Sequence, residues 1–232
     1  LCYSQYNMYN STGRPTNAFN GVNFVAVPKT EEFRRCFVPR HDFLVEFDFD
    51  SYHLRLIAKQ VGYEFPDPSQ SVHTQLGTAY FGKGELTEEE YKRSKEITFR
   101  QLYGGVEPEY RDVPLFSSMT KFVDGIWSKY RTEGSLRLPT GTVVRKSSEV
   151  TKLKLFNYWV QNMETQHNAQ KVRELRGFCE GKRSKLVLIT YDSFLFDYSV
   201  QDGKGFLTGV KAILESGGFK VKHKHARDYF FG

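Results

Sequence analysis

Two aspartates, Asp48 and Asp192, each stand where an apolar run of the chain stops. A carboxylate at the tip of a buried strand is held still by the strand behind it. Two such carboxylates can hold two divalent ions about 3.5–4 Å apart, which activate an attacking hydroxyl and stabilise a departing phosphate group. Magnesium suits such a pair, because it accepts a few carboxylates and takes its remaining ligands from substrate phosphates. Between the aspartates, Tyr91, Lys95, Phe99 and Tyr103 recur every fourth residue. At helical spacing they form one stripe, where a lysine can meet phosphates and a ring can lie against a base. Each feature alone has a plainer explanation: Asp48 as a helix cap, the stripe as a core face with a snorkelling lysine.

The elements that would position these groups follow from local pattern. Phe43 to Phe47 alternates large apolar and β-branched residues, which predicts a strand ending at Asp48. Asp50 and Ser51 are good N-cap residues for a helix carrying Leu54, Ile57 and Ala58. Lys185–Thr190 and Phe194–Tyr198 read as a hairpin with Asp192 at its tip. Thr87 and Glu90 form a capping box, and Gly104-Gly105 stop the helix that bears the stripe. A shorter helical stretch, SVHTQLGTAYFG, carries His73.

The flanks are less regular. Residues 1–30 are loop-like and contain a polar hairpin with Thr12-Gly13-Arg14, Asn17 and Asn20. Residues 106–150 read as mixed helix and loop, with a hairpin around Pro139-Thr140-Gly141. Lys152–Arg176 is a polar helical region with Asn157 and Gln161 on one face. Phe206–Ser216 predicts a helix, stopped by Gly217-Gly218. The basic segment FKVKHKHA, with His223 and His225, then reads as a strand that closes the sheet.

The totals narrow the class. The chain has 232 residues, a net charge of +6 and 16% aromatic residues, which favours a polyanionic partner. The odd set Cys2, Cys36 and Cys179 argues against a disulfide framework and has no zinc-ligand spacing. Neither a signal peptide nor a membrane-spanning apolar run is expected, so no membrane partner is either. Because it begins at Leu1, the chain reads as a piece of something longer.

Taken together, the motifs resemble family A DNA polymerases, the group of bacterial DNA polymerase I and many phage replicases, in order and nearly end to end. Thr12-Gly13-Arg14 resembles the TGR stretch whose arginine touches the primer–template minor groove. Asp48 to Arg55, DFDSYHLR, resembles motif A, DYSQIELR. Val72-His73-Thr74 resembles the family's IHT. Lys95, Phe99, Tyr103 and Gly104 match motif B, KxxxFxxxYG. Asn157 and Gln161 match an NxxxQ pair, and LITYDSFLFD resembles motif C, QVHDELVFE. Departures accompany the matches. Tyr191 and Ser193 replace the motif C histidine and glutamate, and His53 replaces the motif A glutamate that blocks ribose 2′-hydroxyls. Tyr91 replaces an arginine, with Lys92 beside it to supply charge.

The resemblance implies an α+β fold: a polymerase palm, with an antiparallel sheet and packed helices, and a helical fingers subdomain. Residues 1–58 and 136–232 would form the palm, and 59–135 the fingers. It implies template-directed transfer of dNTPs onto a primer 3′ end, using two Mg2+ ions held by Asp48, Asp192 and the Phe49 carbonyl. Lys95, Lys92, His73, His53, Phe99 and Tyr103 would bind the nucleotide; Phe99, in place of tyrosine, implies discrimination against dideoxynucleotides. Arg14, Asn17, Asn157, Gln161 and Tyr191 would hold the primer–template DNA. A thumb or exonuclease region would come from a longer parent chain or a separate subunit. Location would follow the DNA of a bacterial or phage-infected cytoplasm, an organelle being the other possibility. Two alternatives stay open: an RNA polymerase or primase on the same palm, and a degenerate, non-catalytic DNA-binding subunit.

Overall fold

Seven residues with large side chains on both sides make Phe43–Phe49 a strand that must be covered on two faces, and it lies inside a sheet. The computed structural model describes residues 4–7, 9–10, 12–18 and 21–231; Cys2 and Asn20 lie outside the described residues. In chain order the elements are β1 (Tyr6–Asn7), β2 (Thr16–Asn17), α1 (Glu31–Arg34), β3 (Phe43–Phe49), α2 (Tyr52–Gln60), α3 (Val72–Phe81) and α4 (Glu88–Gly104). There follow α5 (Pro114–Glu133), β4 (Ser135–Arg137), β5 (Val143–Arg145), α6 (Lys152–Phe178), β6 (Lys185–Thr190), β7 (Ser193–Tyr198), α7 (Gly203–Glu215) and β8 (Val221–Ala226). Contacts divide the chain into two units. One comprises Leu1–Asn10, Arg14–Tyr52 and Glu164–Gly232; the other comprises Ser11–Gly13 and His53–Met163.

The first unit is built on a four-stranded antiparallel sheet of order β6-β7-β3-β8. Alternation along β3 sorts its faces. Phe47 and Phe49 pack edge-on against Phe196 and Phe194 of β7, and Phe49 stacks on Tyr52 at 4.4 Å. Phe206 of α7 joins this face through Phe196 and Tyr198. Each such buried ring contributes about 1.5–3 kcal/mol. The other face begins with Leu44, which clusters with Leu195 and Tyr229 under Phe24, Phe37, Leu188 and Phe231. Glu46 and Asp48 follow Leu44 on that face. The basic β8 pairs with β3 and closes the sheet on that side, as the sequence predicts.

The second unit holds α3, α4 and α5 with the β4–β5 hairpin. Thr87 and Glu90 make the full capping box of α4, and Gly105 ends it at φ +92°. The sequence reading leaves 106–150 as mixed structure; α5 is in fact a helix of 20 residues. Pro114 at its first position and Gly134 at φ +72° are its start and stop.

Two local expectations are corrected. The strand does not end at Asp48 but runs on to Phe49, because Asp48 pairs with Ser193 on one side and Lys222 on the other, and Phe49 with Val221. Asp50 and Ser51 are not ordinary caps: Asp50 binds Lys222 at 3.0 Å, and Ser51 takes φ +53° rather than extended backbone. Among the described residues Cys36 and Cys179 are free thiols. No helix of the described residues is long and apolar enough to cross a membrane.

Candidate active site

In the first unit, β3 delivers Asp48 to solvent between the buried residues Phe47 and Phe49. The β6–β7 turn delivers Asp192 beside it: the Phe49 N–H donates to the Asp192 carbonyl at 2.9 Å. The two carboxylates feel each other. The Asp48 carboxyl is pushed up to about 6, first by loss of surrounding water, then by the negative charge of Asp192 and of Glu46. Lys224 and Lys222 oppose this shift. Glu46, two residues before Asp48 on the same face, is 9% exposed and lies 3.7 Å from Lys224. Mutual repulsion among carboxylates at an exposed strand end is the electrostatics that a divalent cation relieves.

Among the described residues no group of three or more His, Cys, Asp or Glu side chains is arranged as a metal cage. Asp48 and Asp192 could offer a two-carboxylate donor set, with the Phe49 carbonyl next to Asp48 in sequence. Such a set fits Mg2+, which completes its shell with water and phosphate oxygens, and does not fit a structural zinc.

The hairpin tip is braced from α6. Arg14 makes a two-pronged ion pair with Glu164, at 2.9 and 2.6 Å, and its guanidinium lies 3.7 Å above the Tyr191 ring. Arg14, Glu164, Asn168 and Tyr191 line a groove of about 630 Å³ within this unit. Asn17 sits in the β1–β2 ladder opposite Tyr6.

The second unit gathers the nucleotide-binding candidates. Ser94, Ile97, Thr98, Gln101 and Leu102 are the buried face of α4. The predicted stripe is thus not the core face: Phe99 is 44% and Tyr103 40% exposed. Tyr103 and Phe99 stack with ring planes 8° apart, and His73 of α3 lies 5.4 Å from Phe99. His53 approaches Tyr103 from α2, with Nδ1 2.5 Å from the phenol oxygen. A row His53–Tyr103–Phe99–His73 results. Lys95 lies 4.4 Å above the Tyr91 ring, and Lys92 is held by Glu88 at 2.8 Å. Ser71 and Ser94 fix the backbone of His73 from either side. On α6, the Asn157 side-chain oxygen Oδ1 is buried with no hydrogen-bond partner among the described residues, and Gln161 stands one turn further on.

Sequence reasoning missed Glu46, Glu164, His167 and Asn168. Glu46 had a signal in its two-residue spacing from Asp48, which puts both on one strand face. The other three had none, because their partners are over 20 residues away in sequence.

No family model matches the sequence, and no curated protein matches it. Among solved structures the chain is similar to the polymerase domain of Pol1 from M. smegmatis, solved with DNA primer-template and dNTP. The TM-score is 0.83 at 16% identity, over 99% of this chain and 48% of that one. The chain thus spans about half the length of that neighbour, and it has the α+β fold of a polymerase domain.

Proposed function

We propose that this chain catalyses template-directed transfer of dNTPs onto a primer 3′ end. The observation that carries this reading is the pairing of Asp48 and Asp192 at one end of the sheet, in a polymerase-domain fold. The primer 3′-oxygen attacks the α-phosphorus, the bond to the β-phosphate breaks, and pyrophosphate leaves. Two Mg2+ ions, when bound, acidify the attacking hydroxyl and neutralise the leaving group. Asp48, Asp192 and the Phe49 carbonyl would hold them. Lys95 and His73 would neutralise the triphosphate, with Lys92 supplying part of the charge lost with the arginine that Tyr91 replaces. Phe99 and Tyr103 would offer faces to base and sugar, and His53, in place of the motif A glutamate, would meet the ribose 2′-position. Tyr191, Arg14, Asn17, Asn157 and Gln161 are the groups offered to the primer–template.

The test is primer extension by the full-length protein on primed DNA with Mg2+, offering dNTPs or NTPs, beside Asp192→Asn. Extension with dNTPs that falls at least a hundredfold in the variant is expected. Extension with NTPs alone moves the assignment to an RNA polymerase. No extension with either, while the DNA is still bound, reduces the protein to a DNA-binding subunit.

A further inference from the structure

Tyr191 sits at the tip of the β6–β7 turn with φ +57°, a backbone conformation that residues with a Cβ seldom adopt. Something must hold it there, and two residues one turn apart on α6 do so from different sides. Glu164, 1% exposed, fixes Arg14, whose guanidinium covers the Tyr191 ring at 3.7 Å. Asn168 donates its side-chain amide to the Tyr191 carbonyl at 2.6 Å.

The orientation of the Asn168 amide is itself dictated. Its oxygen accepts from the Tyr52 hydroxyl at 2.7 Å, so its nitrogen is the end left to face Tyr191. Tyr52 has one proton, already given to Asn168. The His167 Nδ1 lies 2.6 Å from the same hydroxyl, and in the tautomer that protonates Nδ1 it donates to it. Tyr52 is in turn locked by its stack on Phe49. The chain of contacts leads from His167 through Tyr52 and Asn168 to the residue immediately before Asp192.

We infer that Glu164 and Asn168 are positioning residues: together they clamp Tyr191 in its left-handed conformation and so aim Asp192 at the site shared with Asp48. The inference rests on the function proposed above for its catalytic consequence, but its structural half can be read without any turnover.

The experiment compares the wild-type protein with Asn168→Ala, Glu164→Gln and the double variant. Hydrogen exchange of the amides of residues 190–194 is followed by mass spectrometry, and Mg2+ titrations of primer extension are run in parallel. The expected result is exchange at least tenfold faster in this turn for Asn168→Ala, with α4 unchanged. Half-saturating Mg2+ rises severalfold, kcat falls and KM for dNTP stays put. The double variant is less than additive, because both side chains act on one turn. Should the buried Glu164 position not tolerate glutamine, Asn168→Ala still decides, since Asn168 is only half-buried. Turn exchange that neither variant alters overturns the clamp, as does slower extension with unchanged Mg2+ half-saturation. Wild-type protein that extends no primer, yet shows variant-sensitive exchange in the turn, overturns the polymerase assignment and leaves the clamp standing.

Discussion

The hydroxyl of Ser193 donates to the Glu46 carboxylate at 3.4 Å across the β3–β7 ladder, so the buried acid beside Asp48 stands on β3, while the buried acid of β7, Asp197, lies opposite Leu44 at the far end of the ladder. The family that the sequence resembles has a glutamate where Ser193 stands. Here that place is 6% exposed, beside a carboxylate that Lys224 already partners. Restoring the glutamate should therefore harm the protein. Ser193→Glu is expected to lower the unfolding free energy by roughly 2–4 kcal/mol, as an unpaired buried charge does. Glu46→Ser added to it should recover most of that loss. Urea unfolding of the three variants measures both effects; a Ser193→Glu protein as stable as wild type would refute the account.

His53 and Tyr103 form a second pair with a specific consequence. A histidine within 2.5 Å of the Tyr103 hydroxyl holds that ring from the α2 side. If this pair excludes a ribose 2′-hydroxyl, His53→Ala should shift the ratio of dNTP to NTP incorporation toward NTP by at least tenfold. Tyr103→Phe, which keeps the ring and loses only the hydrogen bond, should shift it less. Single-nucleotide kcat/KM values for both substrates give the ratio, and an unmoved ratio in His53→Ala removes His53 from sugar selection.

The residues show which parts of this structure were legible beforehand. The apolar and β-branched residues of β3, the apolar run resuming at Phe194 in β7, and the Thr87–Glu90 box on α4 are local signals, and they placed the two strands and the stripe-bearing helix. The ends of elements were harder. Nothing local says that Asp48 is a ladder residue; that depends on Ser193 and Lys222, over a hundred residues away in sequence. The helix α5 was blurred by its Ser-Ser-Met-Thr run and by Gly125, and tertiary burial of Leu115, Phe116, Met119 and Ile126 supplies what propensity lacks. In the site, the residues quoted from motifs were visible one by one. The braces Glu164 and Asn168 were not, because a lone glutamate or asparagine on a polar helix carries no mark of what it will touch.

The capping box bears on the nucleotide-binding helix directly. Thr87 accepts from the Glu90 N–H at 3.2 Å, and Glu90 returns a bond to the Thr87 N–H at 3.0 Å. Thr87→Ala removes the first of these and should cost about 1 kcal/mol. Amide exchange should quicken in the first turn of α4, while the turn at Asp192 stays as it was. A loss spread equally over both units would show that the box does more than end a helix.

Acid should act at a second place, away from the candidate site and at lower pH than Asp48. Asp202 accepts from the Ser184 hydroxyl and N–H, both at 2.6 Å, and from the Arg183 N–H at 3.3 Å. Ser184 in turn accepts from the Ser199 N–H at 2.9 Å, so one carboxylate ties the start of β6 to the end of β7. The Ser184 hydroxyl above all, with the two backbone donors, holds the Asp202 carboxyl below its ordinary value. A carboxylate depressed in the folded state adds stability that is complete above its unfolded value of about 3.9 and is lost as pH falls through the lower folded value. Asp202→Asn should therefore lower the urea midpoint most at pH 7 and progressively less below about pH 4, where wild type has surrendered the same interaction. Midpoints of the two proteins that stay equally far apart from pH 7 to pH 3 would mean that charge on Asp202 contributes nothing, and that its geometry alone joins the two strands.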